Sequence, residues 1–511
     1  MSKTLFQSTL VVSAMTLLSR VLGLLREMVF AHYFGAGPVT DAFLFAFRIP
    51  NFLRRLFAEG GFSQAFTPVF AEYRQTRSAR ELKELVDRVF GTLGMILLFL
   101  SALGMLAAPL LVWAFTPGFA QRPEQFALTG DLLRITFPYL FFVSLTACAG
   151  GILNSCGRFG PPAFTPVLLN VSMISATLWI APRLEMPIMA VAWSVTVAGV
   201  LQVALQLPFL ARLGLMPRPR WGWRHDGVRK VLKLMVPTLF GTSVAQINLL
   251  INTQLASFLA AGSITWISYS DRLMEFPQAL LGVALGTVIL PSLSKEHADA
   301  SPEAFSRTLD WALRLALLIG LPASLALALL AGPMLATLFQ YGKFGAYDVV
   351  MTSKSLATYS IGLLGFILVK VLAPGFYARQ DTRTPVKIGI IAICANIGFN
   401  LLLVWPLAHA GLTLATSLAA CVNAGLLLRG LRRDGAYRPA PGWRRFAWQL
   451  LTANLVMVGV LLWGAGDLQL WLQAGAAERA LRLGGLILAG MAAYAVTLLL
   501  CGLRPRELLK H

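Results

Sequence analysis

Arginine and carboxylate side chains recur at helical spacing within three long apolar segments of this sequence. Positions three, four or seven residues apart lie on one face of an α-helix. The shared face holds Ser13, Thr16, Arg20, Gly23 and Glu27 in the first segment, Asp41, Phe45, Arg48, Phe52, Arg55 and Glu59 in the second, and Ser268, Asp271, Arg272, Glu275, Gln278 and Gly282 in the third. Because a guanidinium binds phosphate through paired N–H donors and stays charged when desolvated, these faces predict a site for a phosphorylated or otherwise anionic substrate.

The arginines have two interpretations, because the same segments also carry carboxylates. Arg26 flanks the first face, and Arg54 lies at the end of the second. The residues expected to face the arginines as partners are Ser19, Glu27, Asp271 and Glu275. The set is therefore either a ligand site or a group of internally paired salt bridges. Arg54 and Arg55 either bind the ligand or anchor the cytoplasmic end of their segment.

Two other basic residues inside apolar segments are interpreted separately. Asp310 lies four residues before Arg314 on the same helical face, which predicts a structural ion pair. Lys370 either pairs structurally or lines the same site. A weak sodium site is the remaining candidate, and its residues are Asn252, Asn396, Asn400 and Thr416. Amides at helical spacing more often form interhelical hydrogen bonds, and no other metal site is predicted.

The composition is that of a polytopic membrane protein. Of 511 residues, 57% are hydrophobic and 13% are charged, whereas soluble domains carry about 25% charged residues. The net charge of +20 would indicate nucleic-acid binding in a soluble protein, but the apolar composition argues against a nucleic-acid partner. Five cysteines without a C-x-x-C spacing disfavour a disulfide framework and a zinc site.

Fourteen segments are long and apolar enough to cross a bilayer as helices, for which about 20 residues are needed. The predicted spans are 9–33, 40–58, 85–113, 126–154, 161–181, 187–211, 230–260, 265–293, 307–330, 350–377, 385–405, 409–431, 446–464 and 480–503. With both termini in the cytoplasm, 28 basic residues lie on the cytoplasmic side and 7 on the other. This asymmetry follows the positive-inside rule and fixes the predicted orientation.

Two proline-marked segments repeat at one offset, which indicates a duplicated six-helix unit. Pro68 and Pro291 are 223 residues apart, as are Pro162 and Pro385. The predicted domains are an N-lobe (1–215), a linker (216–228), a C-lobe (229–435) and a two-helix hairpin (436–511). In an architecture of parallel repeats, a central substrate site lies between the lobes near the membrane midplane. The hairpin either holds a lipid chain or is a structural appendage.

Enzyme signatures are absent from the sequence. There is no G-x-x-x-x-G-K-[ST], H-E-x-x-H or G-x-S-x-G pattern. We therefore expect a transporter without a cofactor, driven by gradients, membrane potential or substrate supply.

The motifs around the charged faces resemble those of the MurJ/MviN family of bacterial lipid II flippases, within the multidrug/oligosaccharidyl-lipid/polysaccharide exporter superfamily. The similarity runs from about residue 6 to the C-terminus. It is carried by 19–26 (SRVLGLLR), 40–43 (TDAF), 50–60 (PNFLRRLFAEG), 63–66 (SQAF), 271–277 (DRLMEFP) and 372–377 (LAPGFY). The resemblance implies an all-α inner-membrane protein that moves an undecaprenyl pyrophosphate-linked peptidoglycan precursor, lipid II, to the periplasmic leaflet by alternating access.

The resemblance also implies roles for particular residues. Essential arginines of the family match Arg20, Arg26, Arg54 and Arg272, with Asp41 and Glu59 as further functional positions. Many members have Asp where this sequence has Glu27. The resemblance further implies that the hairpin holds the polyprenyl tail, with membrane lipids and the cell-wall synthesis machinery as other partners. The alternatives are a flippase for another polyprenyl-linked glycan and a multidrug/cation antiporter.

Overall fold

The computed structural model describes residues 3–55, 62–299 and 301–503, and every regular element in these ranges is a helix. Glu59 lies outside the described residues. The α-helices are α1 (Lys3–Phe34), α2 (Pro38–Arg54), α3 (Ser63–Thr76), α4 (Ala79–Leu106), α5 (Ala108–Phe115), α6 (Pro123–Thr136), α7 (Tyr139–Ser155), α8 (Gly160–Ser175), α9 (Pro187–Arg212), α10 (Asp226–Ser257), α11 (Ser263–Ala298), α12 (Pro302–Leu329), α13 (Ala331–Phe339), α14 (Ala346–Ser360), α15 (Leu363–Tyr377), α16 (Arg383–Leu407), α17 (His409–Arg433), α18 (Trp443–Ala465), α19 (Leu468–Gln473) and α20 (Ala476–Leu500).

The predicted class, an all-α polytopic membrane protein, is confirmed. Within the described residues, ten helical stretches are long and apolar enough to cross a membrane by length and composition. Each predicted span overlaps a helix or an interrupted helix, but the count of fourteen stays a prediction. Proline accounts for two of the interruptions, because its ring clashes with the preceding turn and it lacks an N–H donor. Pro109 follows the break between α4 and α5, and Pro138 lies between α6 and α7.

The chain divides into two compact units, residues 1–265 and 266–511. In the first unit, the fully buried side chains of Phe43, Phe66, Phe70 and Tyr139 lie in one apolar core. Helix α10 packs against α3, α4 and α5 and so belongs to this unit. These two units show only which residues pack together and do not test whether a six-helix unit is duplicated. The predicted lobe and linker boundaries therefore stay predictions.

Small residues let helices approach closely in the second unit. A β-carbon at Gly362 would lie 2.5 Å from Ser417 Cα, and one at Gly365 would lie 2.9 Å from the Ala420 carbonyl carbon. Close backbone approach through small residues is typical of helix packing in membranes. The absence of a side chain at these two positions therefore allows α15 and α17 to approach closely there.

A buried carboxylate fixes the C-terminal hairpin, α18 and α20, to α12. Asp310 Oδ1 accepts hydrogen bonds from Tyr437 Oη (2.8 Å), the Ala440 N–H (3.1 Å) and Trp443 Nε1 (2.7 Å), while Oδ2 accepts one from Arg314 Nε (2.8 Å). The Arg314 guanidinium also lies over the Trp443 ring, 5.1 Å from its centroid. The predicted Asp310–Arg314 ion pair is therefore confirmed, and it belongs to a larger network.

We expect Asp310→Asn to lower the free energy of unfolding by about 2–4 kcal/mol, because the new amide N–H₂ replaces a buried acceptor and the partly buried Arg314 loses its charged partner. Denaturant unfolding in detergent measures this change. Asp131→Asn is the matched control, since the Asp131–Arg134 pair (2.9 Å) is exposed and should contribute under about 1 kcal/mol. Equal effects of the two substitutions would contradict the prediction.

Candidate functional site

Arg26 lies buried between α1 and α8, held by one carboxylate and one amide. Its Nη2 donates to Glu27 Oε1, and its Nη1 donates to Asn170 Oδ1 (3.1 Å). Asn170 Nδ2 in turn donates to the Ser19 carbonyl (3.1 Å). Asn170 therefore contacts α1 at Ser19 and at Arg26, which are seven residues apart. The geometry fixes the guanidinium in one orientation, with the charge partly balanced by Glu27.

Arg20 is placed differently from Arg26, although both project from α1. Its side chain is exposed, whereas that of Arg26 is buried. Side chains six residues apart on an α-helix point in directions about 120° apart around its axis, which accounts for the two environments. The predicted stripe on α1 therefore contains an accessible arginine, while the flanking arginine is packed against α8.

Helix α2 carries three arginines toward its C-terminal end. Arg48 Nη1 donates to Thr253 Oγ1 of α10 (2.5 Å), and Arg54 Nε donates to Asn51 Oδ1 (2.8 Å). Arg55 follows the last helical residue and is exposed. In both of these contacts a neutral oxygen accepts from the guanidinium, so the contact orients the side chain without adding a negative charge.

Asp41 binds backbone amides at the start of a helix. Its Oδ2 accepts from the Gly262 N–H (2.6 Å), and its Oδ1 accepts from the Thr265 N–H (2.8 Å) and Thr265 Oγ1 (2.6 Å). Thr265 lies in the first turn of α11 and Gly262 directly precedes the helix, where backbone donors lack intrahelical acceptors and the helix dipole favours a negative charge. Asp41 therefore caps α11 from α2, across more than 220 residues of sequence.

The segment that precedes α11 is fastened by two further contacts. Arg122 Nη2 donates to the Leu259 carbonyl (2.9 Å), and the Gly118 N–H donates to Ser257 Oγ (3.1 Å). A β-carbon at Gly118 would lie 2.3 Å from the Ser257 carbonyl oxygen, so only glycine fits there. Together with Asp41, these contacts hold residues 257–265 against the rest of the first unit.

Arg272 lies on α11 in the second unit and pairs with Glu275. Its Nη1 is 3.0 Å from Glu275 Oε2, and the two side chains are 37% and 51% exposed. Asp271 beside it is half-buried. Lys370 of α15 donates to the Gln278 carbonyl of α11 (3.3 Å), so it contacts the same helix. The guanidinium of Arg272 is thus paired yet open to solvent.

Three of the four residues of the weak sodium candidate form hydrogen bonds with one another. Asn400 Nδ2 donates to Asn396 Oδ1 (2.8 Å), and Asn396 Nδ2 donates to Thr416 Oγ1 of α17 (3.3 Å). Asn252 lies in the first unit. The bond to Thr416 is an interhelical hydrogen bond of the kind that the sequence offered as the alternative to a sodium site. The described residues contain no cluster of three or more His, Cys, Asp or Glu suited to a metal. The sodium site stays a prediction.

Sequence reasoning did not single out Asn170, Thr253 or Arg122. Asn170 is a polar residue in the middle of an apolar span, and such residues usually face a neighbouring helix. That signal was available for Asn170. The signal was weaker for Thr253, because its hydroxyl donates to the Leu249 carbonyl of its own helix while it accepts from Arg48.

Comparison with known proteins finds similarity along almost the whole chain. Residues 30–477 match the family model of the lipid II flippase MurJ. The chain is 48% identical to a probable lipid II flippase MurJ of Vibrio cholerae, over 99% of this chain and 98% of that one. It is 50% identical to the lipid II flippase MurJ of Burkholderia cenocepacia, over 90% of each. A solved lipid II flippase MurJ in an inward closed conformation superposes with a TM-score of 0.81 at 25% identity, over 98% of this chain and 100% of that one.

We expect Asp41→Asn to speed amide hydrogen exchange at residues 262–265 by about tenfold or more, because charge-assisted bonds to these amides are lost. Exchange measured by mass spectrometry tests this. Asp467→Asn is the control, since Asp467 caps α19 through the Gln469 N–H (3.0 Å) and should affect exchange only there. Unchanged exchange at 262–265 in the Asp41 variant would show that the cap does not hold this turn.

Proposed function

The chain belongs to the lipid II flippase MurJ family, and from that membership we propose that it moves lipid II from the cytoplasmic to the periplasmic leaflet of a bacterial inner membrane by alternating access. The family is one of lipid transporters. In the proposal, Arg20, Arg26, Arg54 and Arg272 bind the pyrophosphate, and both termini lie in the cytoplasm.

The observation that carries the proposal is that amide and hydroxyl oxygens orient arginines of α1 and α2. Asn170, Asn51 and Thr253 present neutral oxygens to Arg26, Arg54 and Arg48. These acceptors orient each guanidinium and add no negative charge of their own, while Glu27 balances part of the charge of Arg26. Orientation before binding reduces the side-chain entropy lost when a ligand is bound. The contacts therefore support a preorganised site for an anion.

Asp41 supports the same interpretation because backbone and hydroxyl donors at the start of α11 use its carboxylate. Both of its oxygens accept donors there. In the proposal this contact closes the periplasmic side while lipid II enters from the cytoplasm. Opening the periplasmic side then requires these hydrogen bonds to break, which makes the α2–α11 contact one of the gates of the cycle.

The hairpin of α18 and α20 offers an apolar surface for the polyprenyl tail. Its exposed side chains include Leu455, Leu462, Trp463, Leu488 and Leu499. An isoprenoid chain gains little by leaving lipid for such a surface, so its packing there serves to orient the substrate. In the proposal the tail stays in an apolar environment throughout, so the headgroup is the only part of the substrate that must be desolvated.

We expect Arg272→Ala to reduce the flipping of lipid II in reconstituted vesicles by about tenfold or more, as loss of a hydrogen bond between charged groups predicts. The assay is run with potential, proton and sodium gradients imposed separately, which identifies the driving force in the same experiment. Arg134→Ala is a matched control, because Arg134 also pairs with a carboxylate three residues away at 2.9 Å.

The variant Glu275→Gln separates a binding role for Arg272 from a structural one. If the Arg272–Glu275 pair only stabilises α11, then Glu275→Gln should impair flipping as much as Arg272→Ala. If Arg272 binds the pyrophosphate, the Gln variant keeps flipping. Native flipping by Arg272→Ala would refute the proposal, and selective flipping of another polyprenyl-linked glycan would change its substrate.

We expect Asn170→Asp to weaken the binding of lipid II by about tenfold, because a second carboxylate beside Arg26 cancels charge that the pyrophosphate needs. Titration of the purified protein with lipid II measures the affinity. Asn154→Asp, at an exposed position on α7, makes the same change away from the arginines and should bind normally. Equal affinities for the Asn170 variant and the unsubstituted chain would exclude Arg26 as a pyrophosphate ligand.

A further inference from the structure

A cavity of about 730 Å³ lies where the segment after α9 crosses α4. It is lined by Arg88 of α4 and by Trp221, Gly222, Trp223 and Arg224 of the crossing segment. None of these residues takes part in the proposed lipid II site. All of them belong to the first unit.

Hydrogen bonds fix the crossing segment to α4, so the walls of the cavity are built in advance. The Arg220 N–H donates to the Asp87 carbonyl (3.0 Å), and the Arg218 N–H donates to Asp87 Oδ1 (2.7 Å). The Gly222 N–H donates to Thr92 Oγ1 (3.0 Å). A β-carbon at Gly91 would lie 2.2 Å from the Arg220 carbonyl oxygen, so the backbones approach as closely as glycine permits.

The lining combines aromatic rings with positive charge. The Trp221 and Trp223 rings stack with centroids 6.2 Å apart at 12°, although the residues are 53% and 52% exposed. Arg224 is exposed, and Arg88 donates from Nε to Glu84 Oε1 (2.8 Å). Residues 212–233 carry seven basic side chains and one carboxylate, Asp226. The crossing segment is therefore strongly positive, which suits an anionic ligand, while on α4 Glu84 pairs with Arg88.

The cavity lies at the edge of an exposed apolar surface on α4. Met95, Leu98 and Phe99, one to two turns beyond Thr92, are 55%, 59% and 67% exposed. Side chains of this kind on a membrane helix face lipid, whereas tryptophan and arginine concentrate at the depth of the headgroups. On the predicted orientation, this edge faces the cytoplasmic leaflet, whose anionic lipids attract basic segments.

We propose that this cavity binds the headgroup of an anionic phospholipid of the cytoplasmic leaflet. Arg88 and Arg224 bind the phosphate, and the two tryptophans cover the glycerol region. The site is separate from the arginines that bind lipid II in the proposed function, and it ties the segment between α9 and α10 to the membrane surface.

Native mass spectrometry of the purified full-length chain, titrated with dioleoyl-phosphatidylglycerol, tests the proposal without lipid II. The double variant Arg88→Gln/Arg224→Gln should bind about 25-fold more weakly, since each basic residue near an anionic lipid contributes about fivefold. Trp221→Ala/Trp223→Ala should also weaken binding with both arginines in place. Arg432→Gln/Arg433→Gln, which removes two exposed arginines from the last turn of the apolar helix α17, should bind as the unsubstituted chain does.

Three results would overturn the proposal. One is equal affinity of the Arg88/Arg224 variant and the unsubstituted chain. Another is an equal loss in the Arg432/Arg433 control, which would indicate only general charge attraction. The third is binding of dioleoyl-phosphatidylcholine or of inorganic phosphate as tight as that of phosphatidylglycerol. Because no lipid II is present, these results leave the proposed flipping activity untouched.

Discussion

The free energy of taking a charged side chain out of water governs the arrangement of this molecule. An ionised group inside a membrane helix costs at least a few kcal/mol, so it must find a partner or stay in contact with water. Arg26, Asp41 and Asp310 are all buried, and each meets this requirement in a different way. The partners of these charged side chains help to position the helices that carry the charges.

The type of partner separates a structural charge from a functional one. Asp310 accepts four donors and holds the hairpin to α12, so its charge is fully used within the fold. The charge of Asp41 is likewise used within the fold, by the donors at the start of α11. The arginines of α1 and α2 are also contacted by amide and hydroxyl oxygens, which constrain their orientation at little cost in charge. An anionic headgroup is the kind of ligand for which such a set of guanidinium groups is suited.

Hydropathy predicts the helices well because the bilayer imposes one length on all of them. The predicted spans 385–405 and 409–431 differ from α16 and α17 by two residues or fewer at every end. Periodicity was also sufficient for the Asp310–Arg314 pair, which is local. Glu27 is one of the expected arginine partners, but spacing does not explain its pairing with Arg26, since adjacent residues do not face each other on a helix and the long arginine must fold back to its neighbour. The partners of Asp41 and Arg48 are more than 200 residues away, and helical spacing carries no information about which distant backbone will meet a face.

Helix α2 joins the two kinds of charge in one rigid element. Asp41 lies in its first turn and Arg54 is its last residue, thirteen positions later, which corresponds to about 20 Å along the axis. Pro50 lies between them, yet the helix continues through it. Arg48 contacts α10 on the way, so α2 is held at its start by α11 and along its length by α10. On the proposed mechanism, a pyrophosphate that binds Arg54 pulls on the helix whose other end closes the periplasmic side. The substrate and the gate then act on the same helix, and the cycle needs no separate relay between them.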